Sequence, residues 1–154
     1  MKDLIKKGLA LTFVSVMCFS LAACGGSSSS KTSVNASYND GTYEGRSSDF
    51  EADESGNGAG YGQVTIEIKD NKIVSCEFEL HELDGTLKDE TYGADLVKEN
   101  RLKAQKAVQS APKYASQLVE AGNIDGVDAI SGATISYNEF TEAVNDALSK
   151  AVAE

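Results

Sequence analysis

The stretch QVTIEIKDNKIVSCEFEL, residues 63–80, has the clearest secondary-structure pattern in the chain and decides its fold class. Apolar and polar residues alternate on both sides of Asp70 and Asn71, a pair that favours a tight turn. Because successive side chains of a strand point to opposite faces, the apolar residues should share one face. We therefore predict a β-hairpin with one buried face. Its buried residues should be Val64, Ile66, Ile68, Val74, Cys76, Phe78 and Leu80.

The segments that flank the hairpin are predicted to be one strand and two loops. Residues 41–50 are expected to form a first short strand, and the acidic, glycine-rich residues 51–62 a loop. Residues 81–93 are polar and are predicted to form a second loop. The sheet should therefore be small and antiparallel.

Two later segments have the spacing of amphipathic helices. Apolar residues recur at helical intervals over residues 94–121, but Pro112 lies inside this run. We predict two helices or one broken helix there, with Ser110 as the N-cap of the second part. The last segment of the chain has the most regular helical pattern. Ser136 and Glu139 form an S-x-x-E capping box, so Ser136 should be its N-cap.

These elements predict an α+β fold: a small antiparallel sheet with helices packed on one face, in a single domain over residues 41–154. The net charge is −10, which disfavours binding to nucleic acid. The chain has one histidine and no CxxC motif, so a metal site built on histidine or cysteine is not expected. No Ser/His/Asp or paired-carboxylate arrangement is visible either. Any redox chemistry must therefore come from a cofactor that neither thiols nor imidazoles hold.

The amino-terminal segment has the features of an export signal. Lysines precede a short apolar run that ends in the letters LAAC at Cys24, which resembles the lipobox of bacterial lipoproteins. The apolar run is shorter than the roughly 20 residues that a membrane-spanning helix needs. We expect residues 1–23 to be a cleaved signal peptide, Cys24 to carry a lipid and residues 24–40 to be a flexible tether. The domain should then be anchored to the cell membrane on its extracytoplasmic face.

The stretch DAISGATIS, residues 128–136, is unusually rich in small and hydroxyl-bearing residues just before the last helix. Three interpretations compete: a helix cap, a cradle for a phosphate and an acceptor for a covalent group. The capping box accounts for Ser136 alone. A phosphate is physically reasonable because the first turn of a helix offers free N–H groups and a favourable dipole. As a cradle alone the pattern is weak, since it has no P-loop lysine.

The order D-x-x-S-G-A-T at residues 128–134 resembles the flavinylation motif of the FMN-binding domain family. That family includes the C subunit of the sodium-pumping NADH:quinone reductase and the G subunit of the Rnf complex. The resemblance implies that an FMN transferase joins the FMN phosphate to Thr134 by a phosphoester bond. Asp128 would belong to the sequence that the transferase recognises. Ser131, Gly132 and Ala133 would lie close to the phosphate.

The remaining candidate contacts to the cofactor are less defined by the sequence. Ser136 is interpreted first as a helix cap and second as a phosphate contact. Tyr61, between two glycines, is a candidate neighbour of the isoalloxazine ring, whereas His81 is expected to be an ordinary histidine at a strand end. Many family members have an ETPG-containing loop after the hairpin, and this chain does not match it after Glu82.

The resemblance implies a membrane-anchored electron carrier with covalent FMN rather than an enzyme. Electrons would come from a membrane donor, a quinone or a flavoprotein, and pass to an external acceptor or a partner reductase. At most the chain would be the electron-feeding unit of a reductase, since it has no G-x-G-x-x-G dinucleotide fingerprint. The alternative is a surface lipoprotein that binds a ligand or a partner without redox work.

Overall fold

The computed structural model describes residues 36–153. Three strands form an antiparallel sheet in the order β1-β2-β3, and two helices pack against it. The predicted α+β class is therefore confirmed. The elements are β1 (Gly41–Arg46), β2 (Tyr61–Lys69), β3 (Lys72–His81), α1 (Lys98–Ala121), a short 3-10 turn (Ile124–Gly126) and α2 (Thr134–Ala151).

The hairpin between β2 and β3 forms at the predicted turn. Asp70 and Asn71 have positive φ angles of 52° and 60°, as a type I′ turn requires. The predicted burial of Val74 is wrong, because β3 contains a bulge: Ile68 pairs with Ile73 while Glu67 pairs with Ser75. The extra residue shifts the alternation, so Ile73 is buried and Val74 is 43% exposed. Beyond the bulge, Phe78 and Leu80 are buried and Cys76 packs at the edge of the core.

Helix α1 is continuous, so the predicted break at Pro112 is wrong. Ser110 is buried inside the helix, and its hydroxyl donates to the carbonyl of Ala107 at 2.7 Å rather than capping a second helix. A proline inside a helix costs about 3 kcal/mol because one backbone hydrogen bond is lost. Ala107 before the proline and Leu118 after it both pack against the same hydrophobic core, so the two halves face the same side.

Helix α2 begins at Thr134, two residues before the predicted N-cap. Its N-cap is Ala133, which makes no side-chain capping bond, and Ser136 lies within the first turn. The predicted capping box is therefore wrong. The reason is the tight turn before the helix, in which the Ala133 N–H donates to the Ile130 carbonyl at 2.9 Å. This turn leads directly into helical backbone.

An aromatic cluster lies beneath the amino-terminal half of α2. Phe140 contacts Phe78 edge-on, with ring centroids 4.9 Å apart, and stacks on Tyr114 at 5.6 Å. Tyr114 and Phe140 are both fully buried. The cluster joins β3, α1 and α2, and it fixes the distance between the first turn of α2 and the sheet.

The predicted signal peptide, Cys24 and most of the predicted tether lie outside the described residues. The described part starts close to the end of α2, where the Asn39 N–H donates to the Ala151 carbonyl at 2.9 Å. Within residues 36–153, none of the helices has the length and apolar character needed to cross a membrane.

Candidate functional site

The loop that leads into α2 is held by side chains of α1. The hydroxyl of Tyr114 donates to the carbonyl of Ala133 at 3.1 Å and accepts the N–H of Ile130 at 3.0 Å. Gln117 accepts the N–H of Asp128 at 2.7 Å. Because Tyr114 is buried in the aromatic cluster, the turn at residues 130–133 is tied to the core rather than free in solvent.

Gly132 gives this turn its shape. Its φ is 75°, a left-handed conformation that residues with a Cβ rarely adopt. A Cβ at this position would also stand 3.0 Å from the Nζ of Lys106. The absence of a side chain therefore keeps the backbone of the turn open and close to a lysine.

Thr134 is the first residue of α2, and its side chain is exposed. No side chain caps this helix end, so N–H groups of the first turn remain available to a ligand. The helix dipole favours negative charge at the same place. Lys103, whose ammonium donates to the carbonyl of Ser55, lines the cleft beside Thr134, and Lys106 approaches the preceding turn. A hydroxyl, free amides and two cations therefore converge where a phosphate could sit.

A cleft runs from Thr134 into the domain, and it has two connected parts. The outer part is lined by Asn57, Lys103, Ala107, Gly132, Ala133, Thr134, Ile135 and Ser136. The inner part is lined by Gly56, Asn57, Gly58, Leu80, Lys88, Tyr92, Leu96, Lys103, Ala104, Ala107, Ile135, Ser136 and Glu139. Five residues line both parts, so the two form one continuous depression between α1, α2 and the glycine-rich loop. Polar and apolar residues line both parts.

The inner part contains two buried charged residues of opposite sign. Lys88 is 7% exposed and Glu139 is 6% exposed. Burial raises the pKa of Glu139 to about 7, an effect that Lys88 opposes and Glu142 reinforces. Burial also lowers the pKa of Lys88, against the attraction of Glu139 and Glu82. Each group is thus held in surroundings that disfavour its charge.

The loop before β2 makes room for the lysine. A Cβ on Gly60 would stand 2.3 Å from the Nζ of Lys88 and 2.1 Å from the carbonyl oxygen of His81. Any larger residue would force the lysine out of its place. The Nζ also lies 5.1 Å from the ring centroid of Tyr92, within the range of a cation–π contact. The glycine and the tyrosine together hold the ammonium against the cleft wall.

The structure brings some of the sequence-predicted site residues together and separates others. Gly132, Ala133, Thr134 and Ser136 line the cleft. Asp128 and Ser131 lie exposed on the loop that leads to it.

Tyr61 lies away from the cleft, because alternation along β2 turns Gly62 to the helices and Tyr61 to the other face of the sheet. There Tyr61 stacks on His81 at 5.2 Å and lies 3.7 Å beneath the guanidinium of Arg46. The Nε2 of His81 lies 3.5 Å from Glu79 and has no hydrogen-bond partner among the described residues.

Sequence reasoning missed Lys88, Glu139 and the flanking Lys103. Glu139 was interpreted as part of a capping box, although it shares a helix face with the apolar Phe140 and Ala143. That position was a sign of burial. Nothing in the sequence distinguishes Lys88 from the exposed residues of its polar loop.

The comparison with protein families agrees with this site. A model of the FMN-binding domain matches residues 57–149, which is more than half of the chain. The chain belongs to the FMN-binding domain family. The matched segment includes the second half of the glycine-rich loop, the hairpin, the cleft-lining parts of α1 and α2, and Thr134.

Two solved structures resemble this FMN-binding domain. A Clostridium perfringens protein, known from a crystal structure, is 24% identical with a TM-score of 0.57, over 74% of this chain and 88% of its own. A Clostridium thermocellum protein, solved by NMR, is 27% identical with a TM-score of 0.44, over 72% of this chain and 90% of its own. The first likeness shows that the fold is shared. No curated protein matches the chain.

The residues of the cleft fit FMN by their chemistry. The outer part offers free amides and lysines for a phosphate, and the inner part combines apolar side chains with polar groups, as a ring with apolar faces and polar edges needs. Within residues 36–153, no cluster of histidine, cysteine and acidic side chains is arranged to hold a metal ion.

Proposed function

We propose that the chain is an extracytoplasmic, membrane-anchored electron carrier whose FMN is linked by a phosphoester to Thr134. The observation that supports this most is the position of Thr134. Its exposed side chain stands on the first turn of an uncapped helix, at the mouth of a cleft that combines apolar and polar side chains. The match to the FMN-binding domain family makes flavin the ligand that this arrangement would take.

The phosphate end of the cofactor would be bound by the turn and the helix start. The transferase would need a flavin dinucleotide as donor: the Thr134 oxygen would attack the phosphorus of its FMN half, the pyrophosphate bond would break and a nucleoside monophosphate would leave. The hydroxyl proton would pass to solvent, and the chain would gain the mass of one FMN less one water. Free N–H groups of the first turn and the nearby Lys103 would balance the remaining phosphate charge. Tyr114 would keep the turn in place through its two hydrogen bonds. An FMN transferase is the partner that this maturation needs.

When bound, FMN supplies one- and two-electron chemistry that the side chains of this chain do not offer. The protein would bind the cofactor, orient it and set the polarity around it. The apolar residues of the inner part would exclude water from the ring. A covalent bond suits an exported carrier, since a lost cofactor could not be replaced from a cytosolic pool.

The expected lipid at Cys24 and the Ser- and Gly-rich tether would keep the domain at the membrane surface. A flexible tether raises the effective concentration of the domain near a membrane donor without a large binding interface. We propose a quinone or a flavoprotein of the membrane as that donor. The acceptor would be an external oxidant or a partner reductase.

The test is the mass of the intact, denatured protein after co-expression with an FMN transferase. We expect the wild type to gain one FMN less one water and to stay yellow after denaturation. Thr134→Ala should gain nothing. Thr141→Ala is the matched control, because Thr141 is the other threonine of α2 and bonds only to the carbonyl of Tyr137. An unmodified wild type would favour the alternative, a lipoprotein that binds a partner without redox work.

A further inference from the structure

Three buried polar side chains line the cleft without a hydrogen bond or an ion pair to any other described residue. Ser136 is 2% exposed, Glu139 is 6% exposed and Lys88 is 7% exposed. All three line the inner part of the cleft, and Ser136 also lines the part that contains Thr134. They form a row of polar side chains that begins beside Thr134, the expected attachment residue, and continues into the inner part of the cleft.

The polar atoms of these side chains open into the cleft, because the Nε2 of His81 is the only sealed side-chain nitrogen or oxygen without a hydrogen-bond partner among residues 36–153. Burial nevertheless disfavours the charged forms of Lys88 and Glu139. A ligand in the cleft could therefore reach all three groups and supply hydrogen bonds that the protein does not.

The two charged groups come from different walls and differ in hydrogen-bonding capacity. Lys88 follows β3, where its own N–H donates to the carbonyl of Leu80 at 2.8 Å, and its ammonium can only donate. Glu139 is on α2, and its carboxylate can only accept. A ligand group that fits both must present a carbonyl oxygen and an N–H along one edge. The pyrimidine edge of a flavin ring has this pattern.

We propose that Lys88 and Glu139 bind the pyrimidine edge of the flavin ring, with Lys88 donating to a ring carbonyl and Glu139 accepting the imide N–H. This inference rests on the proposed function for the identity of the ligand. Apolar side chains between the two groups and the mouth would contact the ring faces, and Asn57 and Lys103 line the same part of the cleft. The apolar residues are Leu80, Leu96, Ala104, Ala107 and Ile135.

The pair would also set how easily the ring is reduced. A flavin ring that takes up two electrons and one proton gains one negative charge. In a site of low polarity, the ammonium of Lys88 would stabilise that charge and the carboxylate of Glu139 would oppose it. The pKa of Glu139, near 7, means that its charge is easily changed by what binds beside it. The two residues would therefore act on the potential in opposite directions.

The first experiment needs no covalent bond. Riboflavin, which lacks the phosphate, is titrated into the Thr134→Ala protein and its fluorescence quenching is measured. Adding Lys88→Met should weaken binding by about tenfold, the range expected for a hydrogen bond to a charged group. Glu139→Gln should weaken it less. Lys113→Met is the matched control, because Lys113 is exposed on α1 and does not line the cleft. Absent binding, or equal binding by all variants, would overturn the ring site.

The second experiment uses the flavinylated protein and measures its midpoint potential by reductive titration. Lys88→Met should disfavour the reduced form by about tenfold, which is about 30 mV for a two-electron couple. Glu139→Gln should favour it. A merely structural role would not shift the potential in opposite directions, so equal potentials or parallel shifts would overturn the proposal. Failure to flavinylate Thr134 would count against the proposed function, while the riboflavin titration would still decide the ring site.

Discussion

The two ends of helix α2 differ in the kind of residue that they bury. In the carboxyl-terminal half, Ala143, Val144, Ala147 and Ala151 are all fully buried against the sheet. At the amino-terminal end, Ser136 is 2% exposed and Glu139 is 6% exposed, but neither side chain makes a hydrogen bond to another described residue.

Exposed polar groups of the carboxyl-terminal half do find partners. Asp146 accepts the N–H of Arg46 at 3.0 Å and the ammonium of Lys150 at 2.8 Å. The apolar packing of the carboxyl-terminal half thus stabilises the fold, whereas the buried polar side chains of the amino-terminal end lower its stability. The contrast supports the proposed role of the amino-terminal end, because folding alone does not require polar side chains without hydrogen bonds there.

The largest expected effect lies at the packed end. Leu148→Ala should lower the free energy of unfolding by about 2–5 kcal/mol, because the residue is 3% exposed and its truncation leaves a cavity. Leu102→Ala is the control, since Leu102 is 61% exposed on α1 and should change stability by less than about 0.5 kcal/mol. Urea denaturation measures both. Similar losses for the two variants would remove the distinction between packed and exposed positions.

The second effect concerns the cleft end and depends on pH. The pKa of Glu139 rises from its ordinary value of 4.5 to about 7 in the folded protein. Between these values the unfolded chain loses the proton while the folded protein keeps it, so stability falls as pH rises through this window. The loss should reach roughly 3 kcal/mol above pH 7 and be absent in Glu139→Gln.

Urea denaturation at pH 4, 5.5 and 8 measures this dependence. Glu120→Gln is the control, because Glu120 is exposed on α1 and its replacement should leave the pH profile unchanged. The glutamine variant should be the more stable protein at pH 8. If Glu139→Gln were less stable there, the carboxylate would have a stabilising partner and the contrast between the two helix ends would fail.

The smallest effect lies at the junction of the two regions. Tyr114→Phe keeps the aromatic packing but removes both hydrogen bonds to the turn before α2. We expect a loss of about 1–2 kcal/mol in stability. We also expect slower attachment of FMN to Thr134 by the transferase, measured as a time course of adduct mass. Normal attachment in a destabilised protein would show that the turn does not need to be held.

Local signals in the sequence predicted a good part of the fold. The Asp70-Asn71 turn and the apolar spacing of α2 were sufficient, because both depend on neighbours in the chain. The bulge at Val74 and the continuity of α1 through Pro112 could not be predicted, since packing against distant residues decides them.

Only one part of the candidate site could be predicted from the sequence. The residues of the motif are contiguous, so Gly132, Ala133 and Thr134 could be named together. Lys88 and Glu139 are far apart in the chain and meet only through the fold. Tyr61, a candidate neighbour of the isoalloxazine ring in the sequence analysis, lies on the sheet face away from the cleft, because the face of a strand depends on register, which short motifs do not reveal.

The most direct test of the account is to locate the flavin on a peptide. Trypsin should release residues 114–150 as one peptide, because no lysine or arginine lies between Lys113 and Lys150. The peptide from co-expressed wild-type protein should carry one FMN less one water, and fragmentation should place this mass on Thr134. A peptide without added mass, or with the mass on Ser131, Ser136 or Thr141, would contradict the account.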